Sequence, residues 1–391
     1  MNQLFHGDNA LILAKRARSW REHFRLAYLD PPYNTGRTFA EYKDTVAPAA
    51  WAKSQRAVAE LVRPLLRMDG ALVAEIDDTE LGSLMTVLDD VFGRENRVAV
   101  ITVVRSAATG HKSQNRGPVN VSDFLLLYAR DRKSFRPRPM HRVREKYDAA
   151  YGTFVENPHD AAEQWRFAPL RRVVAEHLAY ATPAAARRVL GGEGFEREVA
   201  RFALLHAEHV VRFAQPRYEA IAREAQRLVD RSRKDPERVF VLEREALPPF
   251  ILRGGNRILR LRAKVRVVDG EPRIVEPLTT VWDDLGFQGI AREGGVTFSR
   301  NKKPERLMHR IVSMCTDEGD AVLDPFAGSG TTLAVAQKMK RSFVGIEREA
   351  ALVERCRARL DRVVAGEDAT GVTTLCEWTG GGGYRFDGDH E

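Results

Sequence analysis

Cysteine is scarce. The 391 residues hold three, Cys315, Cys356 and Cys376, far apart and without a C-x-x-C pair. That spacing excludes a disulfide framework and a cysteine-rich zinc site, and points to a reducing compartment, the cytoplasm. Long apolar runs are missing as well: no stretch of eighteen or so apolar residues offers a membrane span, and the opening MNQLFHGDNALILAKRARSW lacks the basic-then-apolar order of a secretion signal. A soluble chain with no membrane partner is expected. Metal-ligand patterns are equally thin. His206 and His209 stand three apart in LLHAEHVV with no third ligand beside them, His6 and His111 are isolated, and IDDTE at 76–80 reads as acidic residues at the positive end of a helix, so no metal is expected. There is no internal repeat, and the one low-complexity patch is the glycine run at 380–383.

What is present is a chain that can fold and that carries positive charge. An apolar content of 43% at this length suffices for a full core and for two or three domains, while 62 Lys plus Arg against 54 Asp plus Glu leave a formal charge of +8. That excess favours a polyanionic partner without identifying one. Residues 1–135 alternate short β-rich runs at 24–29, 71–76, 98–104 and 123–128 with helical spacing at 50–68 and 79–92, where Asp78 or Thr79 is the expected cap. The rhythm breaks over 136–280 into arginine-rich helical stretches such as 217–233 and a hairpin region, and returns over 281–365 with a helix at 304–314, a strand at 321–324, a helix after Gly330 and a strand at 342–346. A tail follows over 366–391, in which the stretch from Gly380 is expected to be disordered, a turn ahead of Tyr384 to Phe386 being the alternative. Within the middle zone, LRLRAKVRV alternates Arg260, Arg262, Lys264 and Arg266 with Leu261, Ala263, Val265 and Val267, the period of a half-buried strand with one cationic face. Such a face serves either phosphate contact or the protection of an edge strand.

Two motifs carry chemistry. In VLDPFAGSGTT, 322–332, an apolar strand ends at Asp324 and opens through Gly328 and Gly330 into a helix near Thr331, a turn that lets backbone approach a ligand. A second strand ends at Glu347, about 20 residues on, where a carboxylate can take ribose hydroxyls. GSGTT has no lysine before its hydroxyl residues, which excludes a P-loop. In LAYLDPPYNTG, 26–36, a strand runs into Asp30, Pro31, Pro32 and Tyr33. The prolines remove two backbone donors and stiffen the chain, leaving the carboxylate and nearby carbonyls as fixed acceptors. Two acceptors on the hydrogens of an exocyclic amine localise its conjugated lone pair toward an electrophile, and the tyrosine offers a flat surface for an extruded base. The structural alternatives are a tight strand-to-helix connection and a rigid turn with a buried tyrosine.

With DPPY at 30–33 preceding FAGSG at 326–330, the chain resembles the β-class DNA amino-methyltransferases. DPPYNTG, WDDL at 282–285 and GGVTFSRNKKPERL at 294–307 look further like the modification subunits of type III restriction systems. The resemblance covers 1–135 and 295–365, and the basic zone takes the place of that family's target recognition domain. It implies a doubly wound, Rossmann-like methyltransferase sheet with an inserted, mainly helical recognition domain, S-adenosyl-L-methionine as cofactor, and double-stranded DNA as substrate. It implies that Asp30, Pro31, Pro32 and Tyr33 face the target base, and that Asp324, Phe326, Ala327, Gly328, Ser329, Gly330 and Thr331 cradle the cofactor with Glu347 on its ribose. Asp8, in HGDN at 6–9, would contact its adenine, and Lys303 and Pro304 lie beside the methyl donor. Arg260, Arg262, Lys264 and Arg266 are the expected DNA contacts. Family likeness adds a homodimer and a cognate restriction subunit as partners, although this chain is shorter than such subunits generally are. Asp in the first motif position favours adenine N6, with cytosine N4 the alternative. A nicotinamide-dependent dehydrogenase, a silent DNA-binding module and an RNA or protein-amide methyltransferase stay open at this stage; the first two leave Asp30 to Tyr33 unexplained.

Overall fold

A computed structural model describes residues 2–38, 43–44, 46–106, 117–245, 247–268, 270–287, 290–296 and 302–388. His111 and positions 297–301 of the GGVTFSRNKKPERL segment lie outside the described residues. The chain divides into two compact units, Met1–Met140 with Leu278–Glu391, and His141–Pro277.

The larger unit is built on a nine-stranded sheet. Its strands are β1 (Gln3–His6), β2 (Phe24–Leu29), β3 (Leu66–Ile76), β4 (Arg97–Val104), β5 (Ser122–Ala129), β6 (Val281–Trp282), β7 (Ala321–Asp324), β8 (Ser342–Glu347) and β9 (Arg385–Gly388), in the spatial order β6-β4-β5-β3-β2-β7-β8-β1-β9. Neighbours are parallel except for β5, which runs against both β3 and β4. β2 is buried along its whole length because both faces are covered. Leu26 and Tyr28 pack on one face with Leu307, Met308 and Ile311 of helix α4 (Glu305–Cys315) and with α5 (Thr331–Lys338) and α6 (Ala350–Ala365). Ala27 and Leu29 point the other way, against α1 (Asn9–Arg16), α2 (Pro48–Val62) and α3 (Leu81–Phe92). The doubly wound sheet expected from the resemblance is therefore present. β2 and β7 lie side by side where strands from the two ends of the chain meet, the crevice in which open α/β sheets bind ligands.

Two local expectations shift. The helical spacing at 50–68 stops at Val62, and a 3₁₀ turn, Arg63–Leu65, leads straight into β3. Helix α3 is flanked by Glu80 without a side-chain cap, while Asp77 accepts from the Thr79 amide at 2.9 Å. The tail is a correction. Instead of disorder, β9 pairs in parallel with β1, whose edge would otherwise leave backbone groups unpaired, and Phe386 packs against the core.

The smaller unit holds a six-stranded antiparallel sheet and a three-stranded one beside four α-helices, Leu170–His177, Pro183–Leu190, Gly192–Leu205 and Arg223–Lys234. With nine strands among its described residues it is mixed rather than mainly helical. LRLRAKVRV is no single strand: Asn256–Arg260 is extended, Leu261–Lys264 is a 3₁₀ turn, and Val265–Val268 is extended again. The physical reason is that Leu261 and Val265, four apart, are the buried pair, whereas Ala263 and Val267 are exposed. The cations scatter accordingly. Arg260 lies 4.7 Å over the Trp165 ring and Lys264 5.8 Å over Tyr151, Arg262 pairs with Glu208 at 3.2 Å, and Arg266 donates to the carbonyls of Ala263 and Val265. His206 and His209 sit in an aromatic cluster, with His206 4.2 Å from Phe202, His209 4.8 Å from Phe154, and His209 Nδ1 2.9 Å from the Val155 carbonyl.

Candidate active site

At the carboxyl ends of β2, β7 and β8 the larger unit opens a cleft of about 390 Å³. Its floor is the turn after β7. Gly328 adopts φ +51°, and a Cβ there would meet nothing nearer than the Phe326 carbonyl at 3.8 Å, so the missing side chain leaves open space facing the cleft. Gly330, at φ +74°, is different: its Cβ would strike Cys356 Sγ at 2.6 Å, so this glycine lets the turn pack onto α6 and does not line the cleft. The Gly328 amide donates to Glu347 Oε2 at 2.8 Å and the Glu349 amide to Oε1 at 2.9 Å, which fixes the carboxylate at the end of β8. Burial holds the Glu347 carboxyl above its usual range and pushes Asp324 up to about 7.

HGDN joins the same floor. The Gly7 amide donates to the Glu347 carbonyl at 2.9 Å and Asn9 Nδ2 to the Pro325 carbonyl at 3.0 Å, while Asp8 caps α1 by accepting from the Leu11 amide at 3.1 Å. Asp8 lines the cleft together with Asp324, Phe326, Ala327, Ser329, Thr331 and Glu347. Pro304 does not; it precedes α4 as a buried, extended residue.

The facing wall is Asp30 to Tyr33. Tyr33 is half-buried, and burial together with the charges of Asp30 and Glu75 drives its phenol well above the ordinary tyrosine value. Asn34, in the left-handed region at φ 58°, anchors the end of the turn by donating to Glu80 Oε1 and accepting from the Val46 amide, each at 2.8 Å. Trp51 Nε1 donates to the Pro32 carbonyl at 2.7 Å, bracing the proline pair against α2. Lys303 Nζ lies 2.8 and 2.9 Å from the two Asp30 oxygens and 2.8 Å from the Tyr33 hydroxyl, at the carboxylate that would face a base.

Several residues here are not among those expected from sequence. Trp51 and Gln55 lie one turn apart on α2; Gln55 lines the cleft, and its Oε1 is buried without a hydrogen-bond partner. Glu75, fully buried in β3, takes a hydrogen bond from the Tyr28 hydroxyl, and Asp123, at the start of β5, is 3.0 Å from Arg105. Burial, with Glu75 beside it, raises the Asp123 carboxyl to about 8. The signal available in the sequence is a carboxylate placed inside an otherwise apolar strand, ALVAEI and DFLLLY.

Behind the floor, Glu305 of KPE is fully buried between two cations, Lys338 Nζ at 2.8 Å and Arg359 Nη2 at 2.7 Å. Arg359 also reaches Thr331 Oγ1 at 2.7 Å and the Ser329 carbonyl at 3.4 Å, so this ion cluster supports the glycine turn from below. Among the described residues no group of His, Cys, Asp and Glu forms a metal-holding cluster and no helix is long and apolar enough to cross a membrane.

Known proteins resemble this chain over most of its length. It is 25% identical over 415 residues to the "Probable type III restriction-modification enzyme HindVI Mod subunit" of Haemophilus influenzae, covering 98% of this chain and 53% of that protein. It is 26% identical over 354 residues to the "Type II methyltransferase M.EcaI" of Enterobacter cloacae, covering 88% of this chain and 66% of that one. It thus spans between about half and about two thirds of the length of these relatives. Among solved structures, a protein of Thermus thermophilus described as "Putative DNA Modification Methylase" and solved with S-adenosyl-L-methionine aligns over 100% of both chains at 13% identity and a TM-score of 0.46, too loose a likeness to carry an argument. The family described as DNA methylase, joining N6 and N4 methyltransferases, matches residues 24–191 and 215–357. With most of its length matched, the chain belongs to the N6/N4 DNA methylase family.

Proposed function

We propose that this protein transfers a methyl group from S-adenosyl-L-methionine to the exocyclic amino group of a base in duplex DNA, with adenine N6 the favoured target. The observation that carries the reading is the sharing of one cleft by the Asp30 to Tyr33 wall and the glycine turn at 326–330. The cofactor fits on independent grounds. The cleft volume lies within the roughly 300–1,000 Å³ of small-molecule sites, Gly328 leaves room for close approach, and Glu347 offers a fixed, buried carboxylate to a diol. When bound, the cofactor supplies an electrophilic sulfonium methyl. Phe326, Gly328 and Ser329 would hold its methionine portion, Glu347 its ribose and Asp8 its adenine.

The remaining chemistry belongs to the chain. A flipped base stacks on Tyr33 and its amino hydrogens meet Asp30 and the Pro31 carbonyl, which turn the lone pair toward the methyl donor. Asp30 accepts a hydrogen bond from the amine. The nitrogen forms its N–CH3 bond as the S–CH3 bond breaks to leave a neutral thioether, and it releases one proton to Asp30 and from there to solvent. Trp51 keeps the proline turn from yielding as the base presses on it. The Asp in the first motif position supports adenine over cytosine. The smaller unit, with its scattered arginines, is the proposed duplex-binding and recognition part, and a restriction subunit and a second copy of this chain are the proposed protein partners. Expression of wild type and Asp30→Ala in a methylation-deficient host, followed by sequencing that separates N6-methyladenine from N4-methylcytosine, tests the reading. A modified base at a defined motif with the wild type alone is expected; unmodified DNA in both would refute it.

A further inference from the structure

Lys303 occupies an unusual place. Its side chain is 9% exposed, and the ammonium contacts both oxygens of Asp30, the Tyr33 hydroxyl at 2.8 Å and the Tyr33 ring, 4.9 Å from the centroid. A target amine would make the same contacts: hydrogens on Asp30 and a π-face against Tyr33. The ammonium and the amine therefore compete for one seat. Moving a buried ammonium off its carboxylate is expensive unless another counter-charge receives it. One is at hand. Glu75 Oε1 lies 3.6 Å from Lys303 Nζ, fully buried and without a hydrogen-bond partner, while the Tyr28 hydroxyl occupies Oε2 of the same carboxylate. Behind it stands Asp123, whose Oδ1 is also buried and unpartnered.

Resting on the reading of the active site above, we propose that Lys303 is a positioning residue that holds the target-amine seat at Asp30 and transfers to Glu75 when a base docks. Burial raises the Glu75 carboxyl and the Lys303 ammonium opposes that rise, so the approaching cation favours the charged form of Glu75 and docking replaces one charge-assisted contact by another instead of stranding a buried cation. Until a base arrives, one ammonium bridges both Asp30 oxygens and holds the seat. Glu75 touches neither base nor cofactor in this scheme; it acts through Lys303.

The test uses a duplex carrying the motif that wild type modifies in the host, with 2-aminopurine, whose emission rises when its neighbour leaves the stack, placed beside an intact target adenine, and the same duplex unlabelled for turnover. Wild type, Glu75→Gln, Lys303→Met and the double variant are compared for emission, kcat/KM toward DNA and cofactor affinity by calorimetry. Replacing a charged partner by a neutral one should lower the emission rise and kcat/KM of Glu75→Gln about tenfold, with cofactor affinity within about twofold of wild type. The double variant should regain the emission rise, because without the ammonium no counter-charge is needed. Should Glu75→Gln fail to fold, Lys303→Met alone decides: it should unstack the base at least as readily as wild type. Unchanged kcat/KM in Glu75→Gln, a double variant no better than Glu75→Gln, or weaker unstacking in Lys303→Met would overturn the exchange. A wild type that transfers no methyl would overturn the reading beneath it.

Discussion

Trp51→Phe separates bracing from binding. The indole is 3% exposed, and its Nε1 hydrogen bond of 2.7 Å to the Pro32 carbonyl ties α2 to the turn that presents Asp30 and Tyr33. Phenylalanine keeps an aromatic in the apolar layer but cannot donate. The net loss of one good hydrogen bond is about 1 kcal/mol, and an acceptor left without a partner adds roughly 1–3 kcal/mol; because Pro32 is itself exposed, water can serve its carbonyl and the lower end applies. With the smaller ring leaving some volume unfilled, a stability loss of about 2 kcal/mol is expected. The catalytic effect should be larger than this suggests, since a displacement of the reacting groups by about 1 Å costs on the order of 10²-fold in rate. A tenfold or greater fall in kcat is therefore expected, with cofactor affinity within about twofold of wild type. The glycine turn proposed to hold the cofactor depends on Glu347 and Asn9, neither of which contacts Trp51 through the hydrogen bonds described.

Steady-state transfer of a labelled methyl group, calorimetric titration of the cofactor and urea denaturation read these three quantities on the same preparations. Unchanged kcat in a destabilised variant would show that Trp51 merely fills space. A parallel collapse of kcat and cofactor affinity would show that the two walls of the cleft are not independently supported. Either result refutes the reasoning.

Two further perturbations follow from buried charge. Burial pushes the Asp324 carboxyl up to about 7 from the 3.8 of an ordinary aspartate. Between those values the unfolded chain binds fewer protons than the folded one, so the contribution is full below about pH 4 and is lost as pH rises through about 7, a swing of about 4 kcal/mol. Asp324→Asn should flatten that decline relative to wild type when urea midpoints are compared at pH 4.5 and 7.5; parallel declines would refute it. Glu305→Gln leaves Lys338 and Arg359, both fully buried, short of negative charge, which should cost about 3–5 kcal/mol in urea denaturation and weaken cofactor binding through Ser329 and Thr331. A variant as stable as wild type would show that Asp368, 2.6 Å from Lys338, suffices alone.

The parts legible in sequence are those with a local physical signature. The strand at 24–29 can be read in full because, Arg25 apart, both faces are apolar and the proline pair ends it, and the strand at 321–324 because Asp324 and Gly328 mark its exit. Both motifs fall on strand ends for the same reason. What escapes depends on partners distant in sequence. Trp51 reads as one more apolar position on a helix, and only the fold brings the Pro32 carbonyl to it. The tail pairs with β1 because that edge is free, which nothing within 385–388 announces. LRLRAKVRV misleads because alternation of cations with aliphatics suggests a strand, whereas burial follows Leu261 and Val265 around a 3₁₀ turn.

The electrostatics of the cleft run against those of the chain. Overall the protein carries +8, yet five acidic side chains, Asp8, Asp30, Asp324, Glu347 and Glu349, line the cleft against two cations, Lys303 and Arg348, with burial raising Asp324 and Glu347 so that part of their charge appears only when a cation enters. Arg348 is paired with Glu349 at 3.1 Å and Lys303 with Asp30, so neither is spare for an anionic ligand. Phosphates gain nothing by approaching such a cleft, so on the proposed function the basic excess would meet a duplex elsewhere on the surface. What can enter with advantage is a neutral base or a positively charged small molecule. A sulfonium donor meets that condition before transfer and, as an uncharged thioether, loses it afterwards, so the same carboxylates that draw the donor in favour exchange of the product for a fresh molecule. A nicotinamide dinucleotide, with its anionic pyrophosphate, would face the opposite sign, and the glycine turn alone cannot offset that.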